Sequence, residues 1–196
     1  MFELTRRIWG RLKRIIFRLL HAWRMGSCGK NVLIDWPFRL DGTQFMSINE
    51  NSLIQKRAWL YCNPIDETSC ELKIGARCNF GYNNHIVSVK EVVIADDVLT
   101  ANNVFISDSL HTYDDIEVPI MYQPIKFKRS VGIGSGTWIG ENACIIGAHI
   151  GKNCVIGANS VVTEDVPDYS VAVGAPAQVI KYFDQVSKTW VMKKKK

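Results

Sequence analysis

The sequence predicts an all-β chain wound as a parallel β-helix, with an amphipathic α-helix at its N-terminus and one long loop inserted in the coil. Three observations carry this. An aliphatic residue recurs every six positions through most of 133–162, each followed by glycine, two polar residues and a small one. That frame stops at Ile106 and resumes near Val131 or Ile133. Before residue 30 the apolar spacing is three and four instead, which is helical.

The helix comes first, within 1–29. Ile8, Leu12, Ile15, Leu19 and Trp23 fall on one face. Arg7, Arg11, Arg14 and Arg18 form a second stripe, with Arg6 and Lys13 nearby. A basic amphipathic helix with aromatic residues suits the headgroup layer of an anionic membrane, which would make residues 3–24 a surface anchor. It equally suits packing on the protein's own body or on a neighbouring subunit.

The coil follows, over 30–180. Ile133-Gly134-Ser135-Gly136-Thr137-Trp138 and Ile139-Gly140-Glu141-Asn142-Ala143-Cys144 are two units; two more start at Ile150 and Ile156. The same frame opens at Ile48, Ile54, Ile74, Phe80 and Ile94. A period of six matches neither an α-helix nor simple alternation. It matches a chain that turns a corner every six residues and sends one aliphatic side chain inward per side, so that three sides close a coil and stacked coils share a core. Glycine after the aliphatic residue would permit tight corners. Asn or Asp two positions later tolerates left-handed backbone. Cys78, Ala143, Cys154 and Ser160 take the small place and read as interior.

Breaks in the frame fall at 61–71, between Ile145 and Ile150, and at 107–130. The last holds Asp108, His111, Tyr113, Asp114, Asp115, Pro119, Pro124 and the basic cluster Lys126, Lys128 and Arg129. A long loop leaving a rigid solenoid commonly carries function. Residues 181–196 form an extension with a basic tail, which reads as a second anchor or as a solvated end.

Composition limits the alternatives. Of 196 residues, 47% are hydrophobic and 22% charged, which excludes a disordered or collagen-like chain. A chain this long needs no disulfide framework. The net charge of +5 divides into +7 over 1–30, −7 over 31–180 and +5 over 181–196. The basic residues sit at the ends without a binding motif, so no nucleic-acid partner is expected. No apolar run is long enough to span a bilayer, and no signal-peptide cleavage pattern follows the arginines. The expected location is the cytoplasm, with a peripheral place at the inner face of the membrane as the finer expectation. The six cysteines include no Cys-x-x-Cys pair, and His21, His85, His111 and His149 include no close pair, so no metal site is expected.

Asp108 to Asp115, the Pro119–Pro124 segment, the repeats from Ile133 to Val162, Thr163-Glu164-Asp165-Val166-Pro167 and Gly174-Ala175-Pro176-Ala177 together resemble the hexapeptide-repeat acyltransferases. Within these, the chain is similar to the maltose, galactoside and polysaccharide O-acetyltransferases over residues 30–183. The resemblance implies a left-handed coil, a homotrimer, acetyl-CoA as donor and an active site between subunits. It places His111 at the catalytic histidine, where a neutral imidazole can take the proton of a sugar hydroxyl. A carboxylate should orient that ring, Asp108 first and Asp114 next. Trp138 matches a position beside the coenzyme arm; Gly140, Ala158 and Thr163 match stretches lining the pantetheine groove. Pro176 lies in the Gly-x-Pro segment near the adenine end, and Lys181 could meet a phosphate. Asn84, His85 and Tyr113 are candidates for the acceptor pocket; Tyr82, Trp59 and Tyr61 either stack on sugar or pack. His21 and His149 read as structural.

The expected function is O-acetylation of a sugar hydroxyl, on a surface-polysaccharide or lipid-linked saccharide precursor. The alternatives are another acceptor, such as an amino sugar or antibiotic, and a non-catalytic membrane-associated scaffold. A serine transferase would need a large helical N-terminal domain, and a metal hydratase three convergent histidines.

Overall fold

The computed structural model describes residues 2–66 and 69–193, with side chains from residue 8 onward. The side chains of residues 3–7, Glu67 and the lysines 194–196 therefore lie outside the described residues. Helix α1 (Phe2–His21) is followed by a short 3-10 turn and then by the coil. The first coil holds β1 (Ser27–Cys28), β2 (Leu33–Ile34) and β3 (Arg39–Asp41); the second β4 (Met46–Ile48), β5 (Leu53–Ile54) and β6 (Trp59–Cys62). The third holds β7 (Glu71–Ile74), β8 (Asn79–Phe80) and β9 (His85–Ser88); the fourth β10 (Glu91–Ile94), β11 (Leu99–Thr100) and β12 (Phe105–Ser107). A hairpin of β13 (Ser109–His111) and β14 (Ile125–Phe127) intervenes. The fifth coil holds β15 (Val131–Ile133), β16 (Trp138–Ile139) and β17 (Cys144–Ile146); the sixth β18 (His149–Ile150), β19 (Val155–Ile156) and β20 (Val161–Val162).

Equivalent strands of successive coils pair in parallel, giving three sheets that run the length of the prism. The first face is β1-β4-β7-β10-β15-β18, the second begins β2-β5-β8-β11-β16-β19, and the third is β3-β6-β9-β12-β17-β20. The register keeps inward residues stacked. Ile86, Ile106 and Ile145 align on the third face, and Phe80, Thr100, Ile139 and Ile156 on the second. All seven are buried. Both faces of each short strand are thus set by which residue points into the shared column.

The corners differ from the sequence expectation in one respect. The left-handed residue is the fourth of each unit: Arg77, Asp97, Asn103, Gly136, Asn142, Asn153 and Asn159 have φ between +50° and +70°. Several of the asparagines bond one another from coil to coil, as Asn142 does Asn159 at 3.1 Å. The glycine after the aliphatic residue does not make the turn. A Cβ on Gly75 would lie 2.5 Å from the backbone of Ala95, and one on Gly140 would lie 2.6 Å from the nitrogen of Ala158. Glycine is required there by the close approach of the next coil. The small residues do lie inside. Ser52 Oγ donates to the Gly75 carbonyl at 2.7 Å and accepts from the Cys78 nitrogen at 3.0 Å. Burial pushes the Cys78 and Cys154 thiols up. All six cysteines are unbridged; Cys62 and Cys70, at either end of the break around 63–70, stand 3.7 Å apart.

A solenoid must close its ends. At the start, α1 lays the buried Phe17 into the core cluster that holds Val32 and Leu33, and Lys13 Nζ pairs with Asp35 at 2.9 Å. At the finish, β21 (Ser170–Val173) extends the second sheet, and β22 (Gln178–Asp184) and β23 (Thr189–Met192) return antiparallel. The coil thus opens at Ser27, inside the stretch read as helix, and β22 runs through the boundary drawn at 180.

Candidate active site

The loop 107–130 is built as an antiparallel ribbon on a buried root. β13 pairs with β14, setting Ser109 opposite Phe127, Leu110 opposite Lys126 and His111 opposite Ile125. The root is Asp108, which is fully buried. Its carboxylate accepts the backbone N–H groups of Val89 at 2.9 Å, and of Lys90 and Glu91 at 2.8 Å. Burial pushes the carboxyl up, against the downward pull of those three donors. The Asp108 carbonyl accepts the Lys128 N–H at 2.8 Å, which closes the ribbon's return. Lys128 Nζ donates to the Ile146 carbonyl at 2.8 Å, and Arg129 bonds Asp165 at 2.8 Å. Farther out, Gln123 Nε2 bridges the carbonyls of Asp115 and Val118, each at 2.7 Å.

His111 is exposed on the outer end of β13, and its ring makes no hydrogen bond among the described residues. Asp108 therefore does not orient it, because both its oxygens face the turn at 89–91. Asp114, the second carboxylate considered, pairs with Lys126 Nζ at 3.3 Å. Within one protomer the ribbon presents the histidine outward.

The acceptor candidates divide. Tyr113 is exposed on the ribbon near His111. Asn84 is buried and already satisfied, contrary to the sequence expectation. Its Nδ2 donates to the carbonyls of Gly81 at 2.7 Å and Ala101 at 3.1 Å, and its Oδ1 accepts from Thr100 Oγ1 at 3.1 Å. It ties the third coil to the fourth and offers nothing to a ligand. His85 lies in an outward aromatic column on the third face. Its ring stacks on Trp59 at 4.2 Å and leans on Phe105 at 5.2 Å. Its Nε2 is buried without a partner, and burial holds its pKa below the ordinary value.

The donor candidates lie mostly on the second face. Strand register places Leu53, Asn79, Leu99, Trp138, Val155, Val171 and Lys181 in one outward row. Leu99 and Trp138 are 46% and 48% exposed, while Lys181 Nζ sits 5.8 Å from the Trp190 ring. Gly140 and Ala158 stack on the ridge beside this row, and Pro176 follows β21 at the same ridge. The Gly140 N–H is engaged by the Ile156 carbonyl at 2.8 Å, so that glycine has no donor left for a ligand. Thr163 stands apart, past β20 at the ridge where the ribbon is rooted. The ribbon's ridge and the donor row belong to different sides of one prism, so a single protomer does not bring His111 and Trp138 together.

Two features escaped the sequence reading. One is the column Trp59–His85–Phe105, whose members each precede an inward aliphatic residue (Leu60, Ile86, Ile106); projecting the six-residue frame outward would have found it. The other is a cavity under α1 lined by Arg11, Arg14 and Arg18. Among the described residues no cluster of His, Cys, Asp and Glu suits a metal ion. No helix among them is long and apolar enough to cross a bilayer.

Residues 130–164 match the family model described as the hexapeptide repeat of succinyl-transferase. The galactoside O-acetyltransferase of Escherichia coli K12 is 31% identical over 154 residues, which span 76% of this chain and 70% of that protein. The E. coli K12 protein described as "Putative lipopolysaccharide biosynthesis O-acetyl transferase WbbJ" is 37% identical over 113 residues. That match covers 54% of this chain and 58% of WbbJ, and the chain spans about half the length of curated relatives of this kind. A solved galactoside acetyltransferase in complex with coenzyme A superposes with a TM-score of 0.60 at 28% identity, covering 80% of this chain and 70% of that one. The coil is the left-handed parallel β-helix.

Proposed function

Since the chain belongs to the hexapeptide-repeat acyltransferases, the family of the galactoside O-acetyltransferases, we propose that it transfers acetyl from acetyl-CoA to a saccharide hydroxyl. The observation that carries this is the division just described. A histidine free of internal hydrogen bonds stands on an anchored ribbon, and an exposed apolar row ending in a lysine runs along another side.

The row fits the donor. Leu99 and Trp138 offer apolar surface for a thin acyl-bearing arm. Lys181 lies three strands farther on, about 14 Å at ordinary strand spacing, where it would meet a phosphate. Acetyl-CoA, when bound, supplies the acetyl group as an activated thioester. His111 accepts the proton of the acceptor hydroxyl as that oxygen bonds to the acetyl carbon. The imidazolium then returns the proton as the C–S bond breaks, so the products are the ester and the free thiol. Tyr113 beside it offers a ring face for a sugar.

The site is completed by a second copy. The third face presents Trp59, Tyr61, Val87, Phe105 and Ile146 outward, and the His85 ring stacked among them keeps its Nε2 buried without a partner. Packing of that face in a homotrimer brings each ribbon toward a neighbour's second face, which supplies Trp138. The acceptor is proposed to be a surface-polysaccharide or lipid-linked saccharide precursor. The reason is the outward apolar and arginine-rich sides of α1, which would hold the trimer at the cytoplasmic face of the membrane.

Thiol release from acetyl-CoA tests this over a panel of free sugars, amino sugars and lipid-linked saccharides, with wild type and His111→Ala, at a protein concentration where light scattering gives a trimer. Release that needs both a hydroxyl acceptor and His111 supports the assignment. Release unaffected by His111→Ala overturns the base, and release with amino sugars alone replaces O-acetylation by N-acetylation.

A further inference from the structure

Helix α1 carries Arg11, Arg14 and Arg18 at steps of three and four, so the three guanidinium groups share one flank. Two are fixed against the end of the coil. Arg14 Nη1 donates to the Asn31 carbonyl at 3.1 Å and Arg18 Nη1 to the Gly29 carbonyl at 3.3 Å. Between the helix and this end of the coil lies a cavity of about 300 Å³, lined by all three arginines together with Ile15 and Cys28. Among the described residues no carboxylate lines it. The nearby Asp35 is held by Lys13 on the opposite flank of the helix. Each guanidinium has five N–H donors, and one hydrogen bond to a carbonyl leaves the others for an oxyanion. Forked donors at fixed positions suit phosphate.

Ile15 decides what kind of phosphate. It is a wall of the cavity and also part of the helix's exposed apolar row, being 56% exposed beside Leu19 at 71% and Trp23 at 77%. The cationic cavity and the apolar row thus share an edge. That juxtaposition matches an amphiphile with a charged head and adjoining hydrocarbon, at the depth where amphipathic helices lie. We propose that the Arg11–Arg14–Arg18 cavity binds the phosphate of a membrane lipid headgroup, with the acyl chains against Ile15 and Leu19. The inference rests on the membrane role proposed for α1 and names the group that role contacts; it is independent of acetyl transfer.

The test is co-sedimentation with phosphatidylcholine vesicles, with and without phosphatidylglycerol, and calorimetry with soluble glycerol phosphate. Arg14→Lys/Arg18→Lys keeps the charge and removes the forks. Arg24→Gln/Lys30→Gln removes two charges elsewhere. The expected result is binding to the anionic vesicles that falls about tenfold in the Lys variant and less in the Gln variant. Leu19→Asp should lower it as well, by removing the apolar contact beside the cavity. An unchanged circular-dichroism melting curve in the Lys variant confirms that the protein remains folded. Equal vesicle binding by wild type and the Lys variant overturns the cavity while leaving the membrane role standing. Absence of vesicle binding by wild type, with glycerol phosphate still bound, assigns the cavity to a soluble phosphate and overturns the lipid. Binding of neither overturns both.

Discussion

Ile106 and His111 are five residues apart and meet opposite conditions. Ile106 has no exposed surface and is held between Ile86 and Ile145 of the flanking coils. His111 is exposed on a two-stranded ribbon whose partner, Ile125, is itself exposed. The coil repeats one solution to burial, so each position inherits its environment from the position one turn earlier. The ribbon repeats nothing and is held by particular bonds at its root. The molecule therefore separates the residues that keep it folded from the one that would do chemistry, and Asp108 is the joint between them.

The comparison breaks first at His111. His111→Ala is expected to lower kcat/KM on the preferred saccharide by about 10²–10⁴-fold. Its denaturation midpoint should stay within about 0.5 kcal/mol of wild type. A large loss of stability would show that the ribbon is part of the core after all.

Ile106→Ala should do the reverse. Truncating this fully buried side chain is expected to cost about 2–5 kcal/mol in urea unfolding. The folded fraction should keep its kcat, and a loss of turnover without a loss of stability would deny the separation.

Asp108→Ala sits between the two. It leaves three backbone N–H groups without their acceptor, for about 2–4 kcal/mol of stability. It should also lower turnover, because His111 is placed only through the ribbon. If turnover falls while stability holds, Asp108 acts on the histidine and not on the root.

The smallest effect sharpens the picture of the third face. Burial lowers the His85 pKa in the folded chain, so the unfolded chain takes up its proton first. Stability should be level above the ordinary histidine value, near 6.5, and fall as the pH drops below it. The slope should be no steeper than about 1.4 kcal/mol per pH unit. His85→Phe should remove that slope in urea midpoints measured from pH 7 to pH 5. A slope that persists would move its origin to another group.

Much of this was legible in the residues. The period of six announced the coil, its interruption located the ribbon, and asparagine before the small residue marked the left-handed corners. Other features were not, since they depend on which coil lies above which. Gly75 looks like a turn residue until Ala95 is placed 2.5 Å from where its Cβ would be. Asn84 looks like a polar pocket residue until Ala101 of the next coil accepts its amide. Asp108 looks like a partner for a histidine three residues away. Its carboxylate instead accepts from the N–H groups of 89–91, seventeen to nineteen residues back.

The sequence by itself determined the period, the inward column, the corner residues and the amphipathic helix, because each is a local pattern set by side-chain size and backbone preference. Tertiary structure decided the partners of Asp108 and Asn84, the stacking of Trp59 on His85, the row from Trp138 to Lys181 and the arginine cavity. Those contacts join residues one coil or more apart. Inserted segments at 63–70 and 107–130 change the chain length between coils, so the closed and stacked prism is what brings such residues into contact.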